Sequence, residues 1–278
     1  MKTESDVMTT TALQSVLKQK PLGLVFDIDG TLSPIAPTPA EARLFPGIDT
    51  RLRELSRYAK IAILTGRAAK EGAAMVNVEG LTYFGTHGLE WCNGLPSPTN
   101  LVEIVPEAKA YIEPGNRIMD LAERELANEP GILIERKQLG GTIHYRLAPD
   151  KDHARQRILD VVEGPVEQAH MRLGYGKFII EVLSPLKVNK GVALRSFAQK
   201  MDLRGVIFAG DDRTDLDAME AVSELREEGI SGLSIAVQHH DTLPALLNQA
   251  DLVVQGVEGM AATLQGILEY LKQLNGSR

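Results

Sequence analysis

The sequence predicts an α/β protein, a doubly wound and mostly parallel sheet interrupted by an inserted α+β layer. Three observations predict it. Short apolar runs at 22–26, 61–64 and 205–209 each end in a polar turn carrying glycine, amphipathic stretches lie between them, and in the middle third the rhythm changes to helix, hairpin, helix, hairpin.

The elements follow in order. Residues 1–20 form either a lead without order or a docked helix. Residues 22–26 read as a central parallel strand, 51–58 as a helix and 61–64 as a second buried strand closing at Thr65-Gly66-Arg67; another helix and a short strand near 83–84 come next. The turn-rich Asn93-Gly-Leu-Pro-Ser-Pro98 marks a linker or hinge. Beyond it a helix over 109–128, strands at 132–137 and 142–147, a helix over 150–163, and strands at 169–173 and 177–182 make the inserted layer. The α/β rhythm then resumes with a helix over 190–200, strands at 205–209, 233–237 and 252–254, and a closing helix over 259–274. The expected domains are a core of residues 1–95 with 183–278, and an insertion of 96–182.

Composition bounds the function. A formal charge of −7 over 278 residues, with no basic run, argues against nucleic-acid binding, so an anionic substrate needs a locally positive site. Cys92 is the only cysteine, which excludes an intrachain disulfide. Residues 1–20 lack the apolar core and cleavage site of a secretory signal, and no run approaches the roughly 20 apolar residues that span a bilayer. A cytoplasmic, monomeric protein without membrane association is expected.

The chemistry begins at Asp27-Ile-Asp29-Gly-Thr31-Leu32. Residues i and i+2 of an extended segment point the same way, so Asp27 and Asp29 can address one ligand at the carboxyl end of a strand, where ligands of open α/β sheets gather. Their repulsion calls for a cation or a shared proton. The other reading is a turn in which Asp29 and Thr31 cap the next helix. Thr65, Lys190 and Asp211-Asp212 stand at comparable positions, and each alone also reads as a cap, a solvated helix start or a turn. Together they suit phosphoryl transfer. Asp27 attacks phosphorus, Asp29 serves as general acid and base, Asp211 is the distant ligand of a hard divalent ion, Mg²⁺ by preference, and Thr65 and Lys190 hold the equatorial oxygens.

The order Asp27-x-Asp29-Gly-Thr31, Thr65-Gly66-Arg67, Lys190-Gly191 and Gly210-Asp211-Asp212-Arg-Thr214-Asp215 resembles the haloacid-dehalogenase-like (HAD) phosphatases. The resemblance implies a Rossmann-like HAD core with an α+β cap of the C2 type. It also implies Asp27 as nucleophile, Asp29 as general acid/base, Mg²⁺ held by Asp27, Asp29 through its carbonyl and Asp211, and support from Asp212 and Asp215 behind them; for Asp215 a surface helix residue is the other reading.

In the insertion, Glu135-Arg-Lys137 and His144-Tyr145-Arg146 on adjacent strands put acidic, basic and hydroxyl groups on one face, suited to a polyhydroxylated ligand or simply to a solvated hairpin with cross-strand ion pairs. With Gly85-Thr-His87-Gly-Leu-Glu90 and Glu181-Val-x-x-Pro185, these segments resemble the trehalose-6-phosphate phosphatases. That family likeness implies hydrolysis of trehalose 6-phosphate and substrate contacts from Gly66, Arg67, His87, Glu135, Lys137, Arg146 and Glu181. Two positions depart from the pattern: Gly140-Gly141 where small hydroxyl residues are frequent, and Leu216 where an acidic residue is common. With no glycosyltransferase portion in view, a stand-alone phosphatase is expected. The alternatives are a phosphatase of sucrose phosphate or a glycosyl-phosphoglycerate, and a non-catalytic sugar-phosphate sensor, which has no need of a nucleophile.

Overall fold

A computed structural model describes residues 11–276. The chain divides into two compact units, one of Met1–Glu103 with Val188–Arg278 and one of Ile104–Lys187. The sequence put the edges of the insertion at 96 and 182. At the first edge the turn-rich stretch stays in the first unit because Asn100 Nδ2 donates to the carbonyls of Asn93 and Leu95, at 2.7 and 3.0 Å.

The first unit is built on an eight-stranded sheet. Its strands are β1 (Leu22–Phe26), β2 (Lys60–Leu64), β3 (Thr82–Gly85), β4 (Glu90–Asn93), the short β5 (Glu103–Ile104) at the unit's edge, β10 (Gly205–Gly210), β11 (Ser231–Gln238) and β12 (Leu252–Gln255), in the order β12-β11-β10-β1-β2-β3-β4-β5. Pairings from β12 through β3 are parallel, and β4 returns antiparallel to β3. That return strand was not foreseen, because Glu90-Trp-Cys-Asn93 is short and follows directly on a turn.

Period-two alternation sorts the strand side chains onto two faces. Leu24 and Phe26 of β1, Ile61 and Ile63 of β2, and Ile207 and Ala209 of β10 join one buried cluster with Leu13, Leu52, Ala73 and Leu264 from helices α1 (Thr11–Leu17), α2 (Ile48–Leu55), α3 (Ala69–Val76) and α9 (Gly256–Gly276). Val25, Ala62, Leu64, Val206 and Phe208 join another with Leu194, Phe197, Met219, Val222 and Leu246 from α6 (Lys190–Lys200), α7 (Asp215–Glu227) and α8 (Pro244–Gln249). Helices therefore cover both faces of the sheet, as a parallel sheet requires. Truncating a fully buried side chain such as Phe26 to alanine costs about 3–5 kcal/mol. Helix α1 resolves the alternatives for the N-terminal segment over 11–17, where Leu13, Val16 and Leu17 are buried; residues 1–10 lie outside the described residues.

The second unit is an antiparallel sheet of β6 (Leu133–Lys137), β7 (Gly140–His144), β8 (Arg172–Gly176) and β9 (Ile179–Leu183), ordered β6-β7-β9-β8. Helices α4 (Ile112–Glu125) and α5 (Lys151–Gln168) cover one face: Ile143, Ile180 and Val182 pack with Ile118, Met119, Ile158 and Val162. The register aligns Glu135 with Thr142 and Thr142 with Glu181, so these three form one row across three strands. By alternation that row lies on the face away from the helices. Tyr145, expected beside it, is buried in the helical core instead, edge-on to Phe178 at 5.9 Å. No helix among the described residues is long and apolar enough to cross a membrane.

Candidate active site

Neighbouring parallel strands in register place their following loops side by side. Phe26 is opposite both Ala209 and Ile63, so Asp27 emerges between Asp211, after β10, and Thr65, after β2. Lys190, the first residue of α6, joins them. Its Nζ donates to Asp27 Oδ1 at 2.7 Å and to Asp215 Oδ1 at 2.6 Å, and it is only 2% exposed. A buried ammonium between two carboxylates is not the solvated helix start that its sequence position also allowed.

Asp215, wholly buried, organises the fourth loop. Its Oδ2 accepts the backbone N–H groups of Asp211 and Asp212, both at 2.9 Å, while Oδ1 takes Lys190. The surface-residue reading of Asp215 is thereby excluded, and Asp212 meets the cluster through its backbone, its side chain being exposed.

Carboxylate oxygens of Asp27, Asp211 and Asp215 lie within 4.8 Å of one another. Three buried carboxylates face one ammonium, and two of them, Asp27 and Asp211, titrate above their ordinary range. Burial pushes Asp27 up to about 7, against the pull of Lys190, and pushes Asp211 well above the carboxylate range, with Asp27 and Asp215 adding to it. Burial alone would lower Lys190, but Asp215 and Asp27 outweigh it and raise it. Hard oxygen donors carrying surplus negative charge fit a divalent ion of the Mg²⁺ kind. Because both oxygens of Asp215 are engaged, Asp27 and Asp211 are the better-placed ligands.

The first loop is tightly fitted. Gly30 has φ +88°, and a Cβ there would stand 2.0 Å from Asp211 Oδ2, so this position excludes other residues on both counts. Thr31 Oγ1 donates to Asp211 Oδ1 at 3.2 Å. His239, just past β11, brings Nε2 to 2.7 Å from the Gly30 carbonyl. Neither His239 nor the Thr31 contact was foreseen; a histidine in a loop after a strand carries no motif.

Asp29 is gripped by Arg67 in a two-pronged pair, Nε to Oδ2 and Nη2 to Oδ1, both 2.7 Å. Arg67, expected against the substrate, thus faces Asp29 here. Thr65 is buried; its Oγ1 accepts the Arg67 N–H at 3.2 Å, which leaves its hydrogen available to donate. The His87 ring lies over Gly66, where a Cβ would meet Cε1 at 2.8 Å. His87 and Thr86 both hold positive φ, +56° and +48°, a strained turn tied down by Thr86 N–H to Arg67 O at 2.7 Å and His87 N–H to Thr65 O at 3.1 Å.

In the second unit Glu181 Oε1 accepts from Lys137 Nζ at 3.1 Å and from Thr142 Oγ1 at 3.3 Å, and Glu135 Oε2 pairs with His144 Nε2 at 3.0 Å. Arg136 points to the helical side, bonded to Glu123 and Asp120 of α4. Arg146 follows β7 in a loop, half-buried.

A family model described as trehalose-phosphatase matches residues 25–256. The trehalose-phosphate phosphatase of Mycobacterium leprae is 30% identical over 248 residues, 84% of this chain and 54% of that protein; that of Mycobacterium tuberculosis is 31% identical over 244 residues, 85% of this chain and 59% of that one. The chain thus spans little more than half the length of these curated relatives. Among solved structures, a trehalose-6-phosphate phosphatase related protein superposes with a TM-score of 0.74 at 28% identity, covering 90% of this chain and 99% of the other. The C-terminal domain of the Candida albicans trehalose-6-phosphate phosphatase shares the fold, with a TM-score of 0.71 at 23% identity over 96% of each chain.

Proposed function

The chain belongs to the trehalose-phosphatase family, and from that premise we propose that it hydrolyses trehalose 6-phosphate to trehalose and phosphate through an aspartyl-phosphate on Asp27. The observation that carries the reading is the buried Asp27–Lys190 pair at the carboxyl end of β1. A carboxylate oriented by an ammonium is a nucleophile held in place, and the same ammonium offers charge to phosphoryl oxygens.

In the first displacement an Asp27 oxygen bonds to phosphorus as the bond to the sugar oxygen breaks, and Asp29 gives that oxygen its proton. In the second, Asp29 takes a proton from water as the water oxygen attacks phosphorus and Asp27 departs unchanged. Lys190 and the Thr65 hydroxyl donate to the equatorial oxygens. Asp27, the Asp29 carbonyl and Asp211 would hold Mg²⁺, with Asp212 and Asp215 behind them, and the ion would neutralise phosphoryl charge.

Selectivity for the disaccharide is assigned to Glu135, Lys137, Arg146 and Glu181 of the second unit, with Gly66 and His87 from the first, while Arg67, paired with Asp29, is assigned to orienting the general acid and base. Acceptors and donors in one cross-strand row suit neighbouring sugar hydroxyls. The test is phosphate release with Mg²⁺ from trehalose 6-phosphate, sucrose 6-phosphate, glucose 6-phosphate and glucosyl-3-phosphoglycerate, with an EDTA control. Preference for the first, lost in EDTA, is expected. Preference for another ester would overturn the sugar assignment, and no release from any would overturn the hydrolase.

A further inference from the structure

We propose that His239 is a positioning residue for the cation site, holding the Gly30 peptide and backing Asp211 so that the ligands of the ion are set before it arrives; this rests on the Mg²⁺ reading above. A carbonyl oxygen only accepts, so the 2.7 Å contact from His239 Nε2 to Gly30 O fixes the tautomer with hydrogen on Nε2. Gly30 has little steric preference of its own, and its two flanking peptides are pinned from outside. Its N–H donates to Ser33 O at 2.7 Å, which turns the Asp29 carbonyl, anti to it in the planar peptide, away from Ser33. Its C=O is held by His239. Without the imidazole, the second peptide is free to turn about a glycine next to the carbonyl assigned to the metal.

The same ring lies beside Asp211, beyond hydrogen-bond reach. Nε2 stands 4.0 Å from Asp211 Oδ2, the oxygen that fills the space where a Gly30 Cβ would be, while Oδ1 accepts from Thr31. His239 is itself anchored, since its N–H donates to Thr242 Oγ1 at 2.7 Å, and its side chain is 21% exposed. One residue from the loop after β11 is thus bonded to the loop after β1 and lies beside the loop after β10.

The test is calorimetric titration of Mg²⁺ into metal-stripped wild type, His239→Ala, His239→Gln and Thr242→Val, which reads binding without turnover. Loss of one hydrogen bond predicts a Kd raised about fivefold to tenfold in His239→Ala. His239→Gln, whose Nε2–H can donate to the same carbonyl, is expected to restore Kd to within about twofold of wild type. An unchanged Kd in His239→Ala overturns the proposal, as does a glutamine variant as weak as the alanine one. Should His239→Ala fail to fold, Thr242→Val carries the test: it loosens the anchor and leaves the ring, a rise in Kd of about twofold is expected, and an unchanged Kd overturns the proposal. Phosphate release from trehalose 6-phosphate by wild type in the same buffer separates the two readings. An active, Mg²⁺-binding wild type with an unaltered His239→Ala sinks the histidine alone, and a wild type that neither binds Mg²⁺ nor releases phosphate sinks both.

Discussion

Arg67 holds both carboxylate oxygens of Asp29 in a parallel fork, each contact 2.7 Å, and its Nη1 also donates to Pro39 O at 3.1 Å. The guanidinium is thus fixed from behind and aims the side chain assigned as general acid and base. Arg67→Lys keeps the charge and loses the fork, so it is expected to lower kcat about tenfold to hundredfold with little change in KM. A raised KM with kcat retained would return Arg67 to the role of a substrate contact.

Asp27→Asn is expected to lower phosphate release by more than about 10³-fold, since an amide cannot form the acyl phosphate. Folding should survive, because Lys190 keeps Asp215 and the amide oxygen can still accept from it. Substantial residual hydrolysis, with a melting curve like that of wild type, would remove Asp27 as nucleophile.

Burial raises the Asp27 carboxyl from 3.8 to about 7, while Lys190 opposes the shift. Across that window the folded chain keeps a proton that the unfolded chain has released, so this group's contribution to stability falls as pH rises from 3.8 to about 7. In EDTA, the melting temperature of Asp27→Asn should gain on wild type over the same interval. Asp211 acts in the same direction, because Asp27 is one of the charges that raise it. Mg²⁺ should narrow the gain by favouring the ionised carboxylates. A difference flat in pH would show that Asp27 titrates normally.

Glu181→Ala removes the acceptor shared by Lys137 and Thr142. The expected result is a KM for trehalose 6-phosphate raised about tenfold or more, against little change for a small aryl phosphate that offers no sugar hydroxyls. Equal effects on both esters would assign Glu181 to the structure of the second unit.

Much of this was legible in the sequence, and the exceptions have physical causes. Strand β1 and its two aspartates could be read because a fully buried parallel strand is a continuous apolar run with an abrupt polar end. The start of α6 at Lys190 was legible too, but not its burial, which depends on Asp27 and Asp215 arriving from distant segments. The partners of Arg67 and the approach of His239 to Gly30, 209 residues away, are matters of tertiary packing that no local spacing encodes. Strand β4 was hidden by its brevity, and Tyr145 was assigned to the open face with its neighbours His144 and Arg146, although alternation sends consecutive residues to opposite faces and sets Tyr145 with Ile143 on the helical side.

Asp215 occupies no surface and yet serves three donors, the Lys190 ammonium and the amides of Asp211 and Asp212. Its replacement would take an acceptor from all three at once and leave Lys190 with Asp27 alone. Lineages that vary this site would therefore have to exchange its members in blocks, and a designer who altered Lys190 without Asp215 would be editing half of a single part.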